Sequence, residues 1–311
     1  MPEGDTVRRA AAQVHQALAG RTLDLAEIRV PRFSAVDLTG HTVHAARSRG
    51  KHLFVVVGSP GGTTGCDTTG CDTTDCATTV ETDRGQLVLH IHLKMEGRIR
   101  VHRAGERWRF PAHTARLVLR AGGIEVVGTE LGLLRVLTPA EADRAVAHLG
   151  PDLLGSDWTP NVSAAAAVRR LEERPDRTIG EALLDQRNLA GIGTIYRAEI
   201  CFLRGIDPRD PVWAVPDLPA VVDLARRLMV ANADREMRVT TGDSRRGRRM
   251  WVYGRDGTPC RRCGTLVESF RLGGRSDPDE PSDSLDRIAY ACPSCQPRRA
   301  TLGANPTKEN T

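Results

Sequence analysis

The sequence predicts a multidomain α+β protein, and three observations carry that reading. Apolar residues alternate with period two between residues 25 and 137; they recur at helical spacing at the start of the chain and again from residue 164 onward; and closely paired cysteines follow once helical periodicity is lost at Trp251. A chain of 311 residues also asks for more than one domain, at about 150 residues per domain.

The elements follow in order. Val7, Ala10, Ala11, Val14 and Leu18 place a helix almost at the start of the chain, with Asp5 as its cap and Gly20 as its stop. Leu53, Val55 and Val57, then Leu87, Leu89, Ile91 and Leu93, then Leu117 and Leu119, then Ile124 and Val126 read as strands of a β-rich domain over 1–150. Leu149-Gly150-Pro151-Asp152 closes it, and 151–163 reads as a linker. Helical stretches at 164–173, 179–184, 194–203 and 218–229 make the second domain, 164–250, all-α. A short metal-stapled unit over 251–296 ends the fold, and 297–311 reads as a disordered tail. Residues 63–79 read TTGCD, TTGCD, TTDCA; this low-complexity repeat, with Cys66, Cys71 and Cys76, is assigned to a loop insertion over 58–83 rather than to a metal or redox site.

Composition narrows the function classes. The net charge is only +5, but residues 226–263 hold eleven arginines against four acids, a local excess that marks a polyanion contact and includes Arg249. Twelve aromatics argue against a stacking platform for single strands. The start, MPEGDTVRRA, has no apolar core of a signal peptide, so a cytoplasmic, nucleoid-associated protein is expected, and nothing reads as a membrane span.

Cys260-x2-Cys263 and, after 28 residues, Cys292-x2-Cys295 supply two knuckles of paired thiolates. Four thiolates close a tetrahedral site with no open position, so one structural Zn2+ is predicted, on a β-hairpin with an enlarged loop. At the other end, removal of Met1 would leave Pro2 as a secondary amine, partly neutral near pH 7 and able to form an iminium with a sugar carbon, with Glu3 beside it. On the strand through Leu89 and Ile91, His90, His92 and Lys94 share the opposite face; the two histidines read as ordinary sheet-face residues, and Met95 falls where the strand gives way to a loop. In LLDQRNLAGIGTIYRAEICFLRGIDP, from Leu183 to Pro208, a turn with Gly191 and Gly193 leads into a helix whose first amides can approach a phosphate.

That last segment resembles the helix-two-turn-helix signature of the formamidopyrimidine-DNA glycosylase / endonuclease VIII family. PEGDTVRRA, RGKHL at 49–53, HLKMEGR at 92–98, LGPDLL at 149–154 and VYGRDGTPCRRCG through CPSCQ resemble the same family in the same order, nearest to its actinobacterial endonuclease VIII-like branch. The resemblance implies an N-terminal β-sandwich with a leading helix, a helix-two-turn-helix domain and a β-hairpin zinc finger. It also implies a bifunctional DNA glycosylase and AP lyase, a monomer acting on double-stranded DNA with oxidised bases or abasic sites, held in a cleft between the two domains. Pro2 would attack the anomeric carbon, Glu3 would supply a proton, Lys51 would assist β-elimination and Arg287 would grip phosphates and promote δ-elimination. Lys94, His148, Gly193, Thr194 and Arg249 would contact DNA, and Met95 would fill the gap left by a flipped nucleotide.

The chain departs from that pattern in places. Thr194 stands where asparagine is common, Thr6 where glutamate is frequent with Asp5 beside it, and His148 where some members carry arginine. Ile288-Ala289 follow the finger arginine in place of more polar residues. Residues 129–134 read TELGLL, not the Arg-Arg-Phe-Gly wedge of the formamidopyrimidine branch, which argues for oxidised pyrimidines over 8-oxoguanine or formamidopyrimidine. A non-catalytic zinc-finger DNA-binding protein on the same scaffold is the rival reading.

Overall fold

The helical stripe of Val7, Ala10, Ala11, Val14, Ala17 and Leu18 is buried along α1 (Gly4–Leu18). Asp5 lies inside its first turn rather than capping it. The structure, a computed structural model, describes residues 2–58, 85–273 and 287–299. It divides into two units: Met1–Pro2, Val7–Ser48 and His52–Ala147 form the first, and Glu3–Thr6, Arg49–Lys51 and His148–Thr311 the second. The Cys66, Cys71 and Cys76 repeat lies outside the described residues.

In the first unit, β1 (Leu25–Ile28), β2 (Thr42–Arg49), β3 (His52–Gly58), β4 (Leu87–His92), β5 (Arg98–Arg103), β6 (Ala115–Ala121), β7 (Ile124–Thr129) and β8 (Leu133–Leu137) form two four-stranded sheets. Their orders are β1-β6-β7-β5 and β2-β3-β4-β8. Leu53, Val55, Val57, Leu89, Ile91, Leu117, Leu119 and Val126 meet the α1 stripe in one core, so the unit is a β-sandwich with a leading helix. The opposite face of β3 and β4 is also partly covered: Phe54 and Val88 pack on Ala142 of α2 (Pro139–Val146). Thr138 and Glu141 form a reciprocal capping box at the start of α2.

His90 lies on that same face, 2% exposed, stacked on Phe54 at 4.8 Å and joined through Nε2 to Nδ1 of His52 at 2.8 Å. Burial, then the charge of Arg135, pushes its imidazole down to about 4. The unfolded chain, with an ordinary histidine, therefore binds more protons than the folded one between pH ~6.5 and about 4. Stability is present above that window and is lost as pH falls through it. Denaturant melts are expected to show this group's contribution of about 2 kcal/mol disappearing over that range, with a shallower pH slope in His90→Leu. An equal slope in the variant would remove His90 as the cause.

The second unit is helical up to its last part. α3 (Pro160–Glu172) starts at a proline inside the stretch read as linker. α4 (Ile179–Ala182) is a single turn, followed by α5 (Thr194–Arg204) and α6 (Leu218–Asn232). Leu171, Ile179, Leu183, Leu189, Ile192, Ile200, Val221, Val222, Ala225 and Met229 form their core. α5 is buried from Thr194 through Phe202. Its farther face carries Ala198 and Phe202, which pack with Val252, Val267, Cys260 and Cys292. β9 (Glu268–Leu272) and β10 (Arg287–Ala291) pair antiparallel as the two strands of the terminal hairpin. Of the expected tail, the Arg299 amide donates to Asp210 at 3.1 Å, and 300–311 lie outside the described residues. Among the described residues no helix is long and apolar enough to cross a membrane.

Candidate active site and nucleic-acid interface

A helix N-terminus leaves its first amides without partners. Gly193, the residue at the cap of α5, has no side chain to supply one. Glu3 supplies it from the other end of the chain: Oε2 accepts from the Gly193 amide at 2.9 Å and from Tyr196 at 3.4 Å, and Oε1 accepts from Ile195 at 2.8 Å. Glu3 is fully buried. A Cβ on residue 193 would lie 2.5 Å from Cδ of Glu3, so glycine is required here by the carboxylate. The Gly193 amide, assigned from sequence to a phosphate, is thus occupied by Glu3 in this structure.

The same turn receives two other segments. The Gly4 amide donates to the Gly191 carbonyl at 2.9 Å. Gly50, in the left-handed region at φ +56°, packs so that a Cβ would meet Cβ of Ala190 at 3.2 Å. Its amide donates to Oδ2 of Asp152 at 2.8 Å, a buried carboxyl that burial pushes above its ordinary range. The 190–193 turn thereby gathers Glu3 and the Arg49-Gly50-Lys51 turn, with Pro2 directly preceding Glu3 and half-buried.

Asp5 is held nearby. Its Oδ2 accepts from Nε of Arg238 at 2.7 Å and from the Tyr196 hydroxyl at 2.9 Å, while Nη2 of Arg238 donates to Oδ1. Burial alone would raise this carboxyl, but the hydrogen bonds and charge of Arg238, with Tyr196 and Thr6, hold it below the usual range. Burial likewise opposes the Arg238 charge, and Glu3 and Asp5 outweigh it, raising that group above its ordinary value.

On the finger side, Arg287 opens β10 and is half-buried. The next carbonyl, that of Ile288, accepts from Nη2 of Arg197 at 2.6 Å, so a fully buried arginine of α5 fixes the strand that carries Arg287. Burial pushes Arg197 down to about 10. Glu199, also fully buried, accepts the amides of Trp251 at 2.8 Å, Val252 at 3.0 Å and Tyr253 at 2.9 Å, and the Thr240 hydroxyl. It pins the approach to the first knuckle. The sulfur atoms of Cys260, Cys263, Cys292 and Cys295 all lie within 4.8 Å of one another. Among the described residues this is the converging set of metal-type donors, and it fits a tetrahedral thiolate site, whose S–S edge is about 3.8 Å. The Arg262 amide faces Sγ of Cys260 at 3.4 Å.

The remaining predicted residues are spread along the chain. Met95 is 57% exposed after β4, beside Lys94 at φ +52°, both in the first unit. In the second, His148 is exposed and Thr194 is buried at the start of α5. Arg249 is half-buried, donating through Nε to the Ser244 carbonyl at 2.9 Å. Several arginines of 226–263 are committed to the protein itself: Arg238 to Asp5, Arg261 to the Met250 carbonyl, and Arg262 to the rings of Phe202 and Trp251. Sequence reasoning missed Tyr196, Arg197, Glu199 and Arg238. For Tyr196, Arg197 and Glu199 the available signal was polar and charged residues inside an apolar helix, in TIYRAEICF; Arg238 was counted only as one of the arginines of 226–263.

Comparison with known proteins gives a consistent result. Residues 1–130 match the formamidopyrimidine-DNA glycosylase N-terminal domain. The chain is 45% identical over 301 residues to endonuclease 8 2 of Mycobacterium bovis, covering 95% of this chain and 100% of that protein. It is 42% identical over 296 residues to a DNA-(apurinic or apyrimidinic site) lyase of Mycolicibacterium smegmatis, covering 95% and 99%. In fold it resembles the Lactococcus lactis formamidopyrimidine-DNA glycosylase, solved bound to DNA containing an abasic site, with TM-score 0.69, 19% identity and coverage of 95% and 100%. Identity at this level along nearly the whole length of both chains, together with the matched N-terminal domain, means that the chain belongs to the formamidopyrimidine-DNA glycosylase / endonuclease VIII family of DNA glycosylases and AP lyases.

Proposed function

We propose that the protein excises oxidised bases, pyrimidines foremost, from double-stranded DNA and then cleaves the abasic site. The Pro2 nitrogen, losing its proton, bonds to the anomeric carbon as the glycosidic bond breaks and the base leaves with a proton; the C1′–O4′ bond then breaks, O4′ taking a proton through Glu3, and the nitrogen lone pair closes the iminium. Loss of a C2′ proton expels the 3′ phosphate and loss of a C4′ proton then expels the 5′ phosphate, β- and δ-elimination assisted by Lys51 and Arg287, and water hydrolyses the remaining iminium to free Pro2. Lys94, His148, Thr194 and Arg249 hold phosphates, and Met95, exposed and apolar, is the wedge. Arginine suits the δ step because it stays charged and binds phosphate bidentately. The four cysteines hold one Zn2+, which with no open coordination position stabilises the finger and takes no part in the chemistry. Action as a monomer at the nucleoid belongs to the same reading.

The observation that carries this is the seat of Glu3: a buried carboxylate next to the proposed nucleophile, fixed by three amides. Glu3→Gln places an amide N–H2 against N–H donors. It is expected to cost about 1–3 kcal/mol of stability and to lower base excision by about 100-fold or more, while a pre-formed abasic site is still trapped by borohydride. Wild-type excision by the variant would remove Glu3 from proton transfer. A lesion panel in duplex and single-stranded DNA tests the substrate: faster release of 8-oxoguanine than of oxidised pyrimidines would reverse the proposed preference.

A further inference from the structure

Arg238 lies in the arginine-rich stretch, where charge counting assigns residues to phosphates. Its side chain is 10% exposed and its partner Asp5 4% exposed. The guanidinium forks onto both Asp5 oxygens, reaches the Thr6 hydroxyl at 3.2 Å and lies over the Tyr196 ring at 4.9 Å. The backbone cannot easily turn it outward. The next residue, Val239, is clamped by one side chain, donating its amide to Oδ1 of Asn232 at 2.7 Å and accepting from Nδ2 at 3.0 Å. Thr240 is then tied to Glu199.

A buried ion pair of this kind contributes little net stability compared with apolar residues of the same volume, because both charges lose their water. What it does supply is orientation: a bidentate fork fixes distance and angle together. The object it orients is the first turn of α1, two residues beyond Glu3 and three beyond Pro2.

From this geometry we infer that Arg238 is a positioning residue for the N-terminal nucleophile: through Asp5 it fixes residues 3–6, and with them the direction in which Pro2 leaves the chain. This rests on the proposed function for its kinetic consequence, though not for the ordering of residues 3–6. Lysine keeps the charge but lacks the planar fork, so Arg238→Lys retains only part of the effect.

The test measures single-turnover borohydride trapping on abasic duplex DNA for Arg238→Lys, Arg238→Met, Asp5→Asn and the double variant Asp5→Asn/Arg238→Met, alongside zinc content and melting. At saturating DNA, Arg238→Met and Asp5→Asn should form adduct about 10-fold or more slowly, with half-saturating DNA within about 2-fold of wild type. Arg238→Lys should fall between them and wild type, and the double variant should be no slower than the slower single. A wild-type rate in Arg238→Met, or a rate loss that vanishes at saturating DNA because affinity alone fell, overturns the inference. If wild type itself forms no adduct on any abasic substrate, the proposed function fails. Amide hydrogen exchange at residues 3–6 then decides the inference alone: faster exchange in Arg238→Met supports it, and unchanged exchange refutes it.

Discussion

Protein that retains Met1 is expected to give no borohydride-trapped adduct with abasic DNA, whereas processed protein is expected to give one. With Met1 in place the Pro2 nitrogen is an amide, which has no basic lone pair to offer the anomeric carbon. Pro2→Gly leaves a primary amine on an unconstrained residue. Since a ring no longer fixes the amine about the N–Cα bond, its lone pair spends less time aligned, and the trapping rate is expected to fall by about 100-fold. DNA affinity should change little in either form, because phosphate contacts elsewhere supply most of it. An adduct of undiminished yield in the Met1-retaining protein would move the nucleophile to a lysine, with Lys51 the first to examine.

Cys292→Ser carries the second large effect. Cys292 is fully buried and belongs both to the thiolate set and to the cluster that joins α5 to the finger through Ala198 and Phe202. Structural zinc sites contribute on the order of 10 kcal/mol to the fold they close. The variant should therefore lose its bound zinc, release the β9–β10 hairpin that carries Arg287, and bind DNA at least about 100-fold more weakly. The first unit should keep its melting transition, since its core contains no finger residue. Mass spectrometry for zinc with a DNA titration checks this; a zinc-free variant with wild-type DNA affinity would contradict the finger's assignment.

Much of this architecture can be read from local sequence, because local sequence repeats are what build it. Leu53, Val55 and Val57 alternate and are buried together; the α1 stripe recurs every three or four residues and is buried together; two Cys-x2-Cys pairs converge because each is a tight turn. α2 is hard to read from sequence although Thr138 and Glu141 signal its start, since only Ala142 in it is fully buried and it carries no apolar stripe. The seat of Glu3 is illegible for a different reason. A carboxylate capping a helix 190 residues away leaves no periodic trace, and glycine at 193 reads equally well as a phosphate-facing turn. Net charge misled in the same way: counting arginines treats each as facing solvent, whereas Arg238 faces Asp5.

The capping of α5 by Glu3 also bears on the order of events during synthesis. Gly193 and Arg238 leave the ribosome 190 and 233 residues after the partners they will hold. At 5–20 residues per second, that delay is roughly 10–50 s. Throughout it Glu3 and Asp5 lack the partners that hold them in the folded unit, and on the proposed mechanism this is the interval in which Met1 is to be removed. If Pro2 is the nucleophile, as proposed, protein in which Met1 outlasts this interval is expected to bind abasic DNA without forming an adduct.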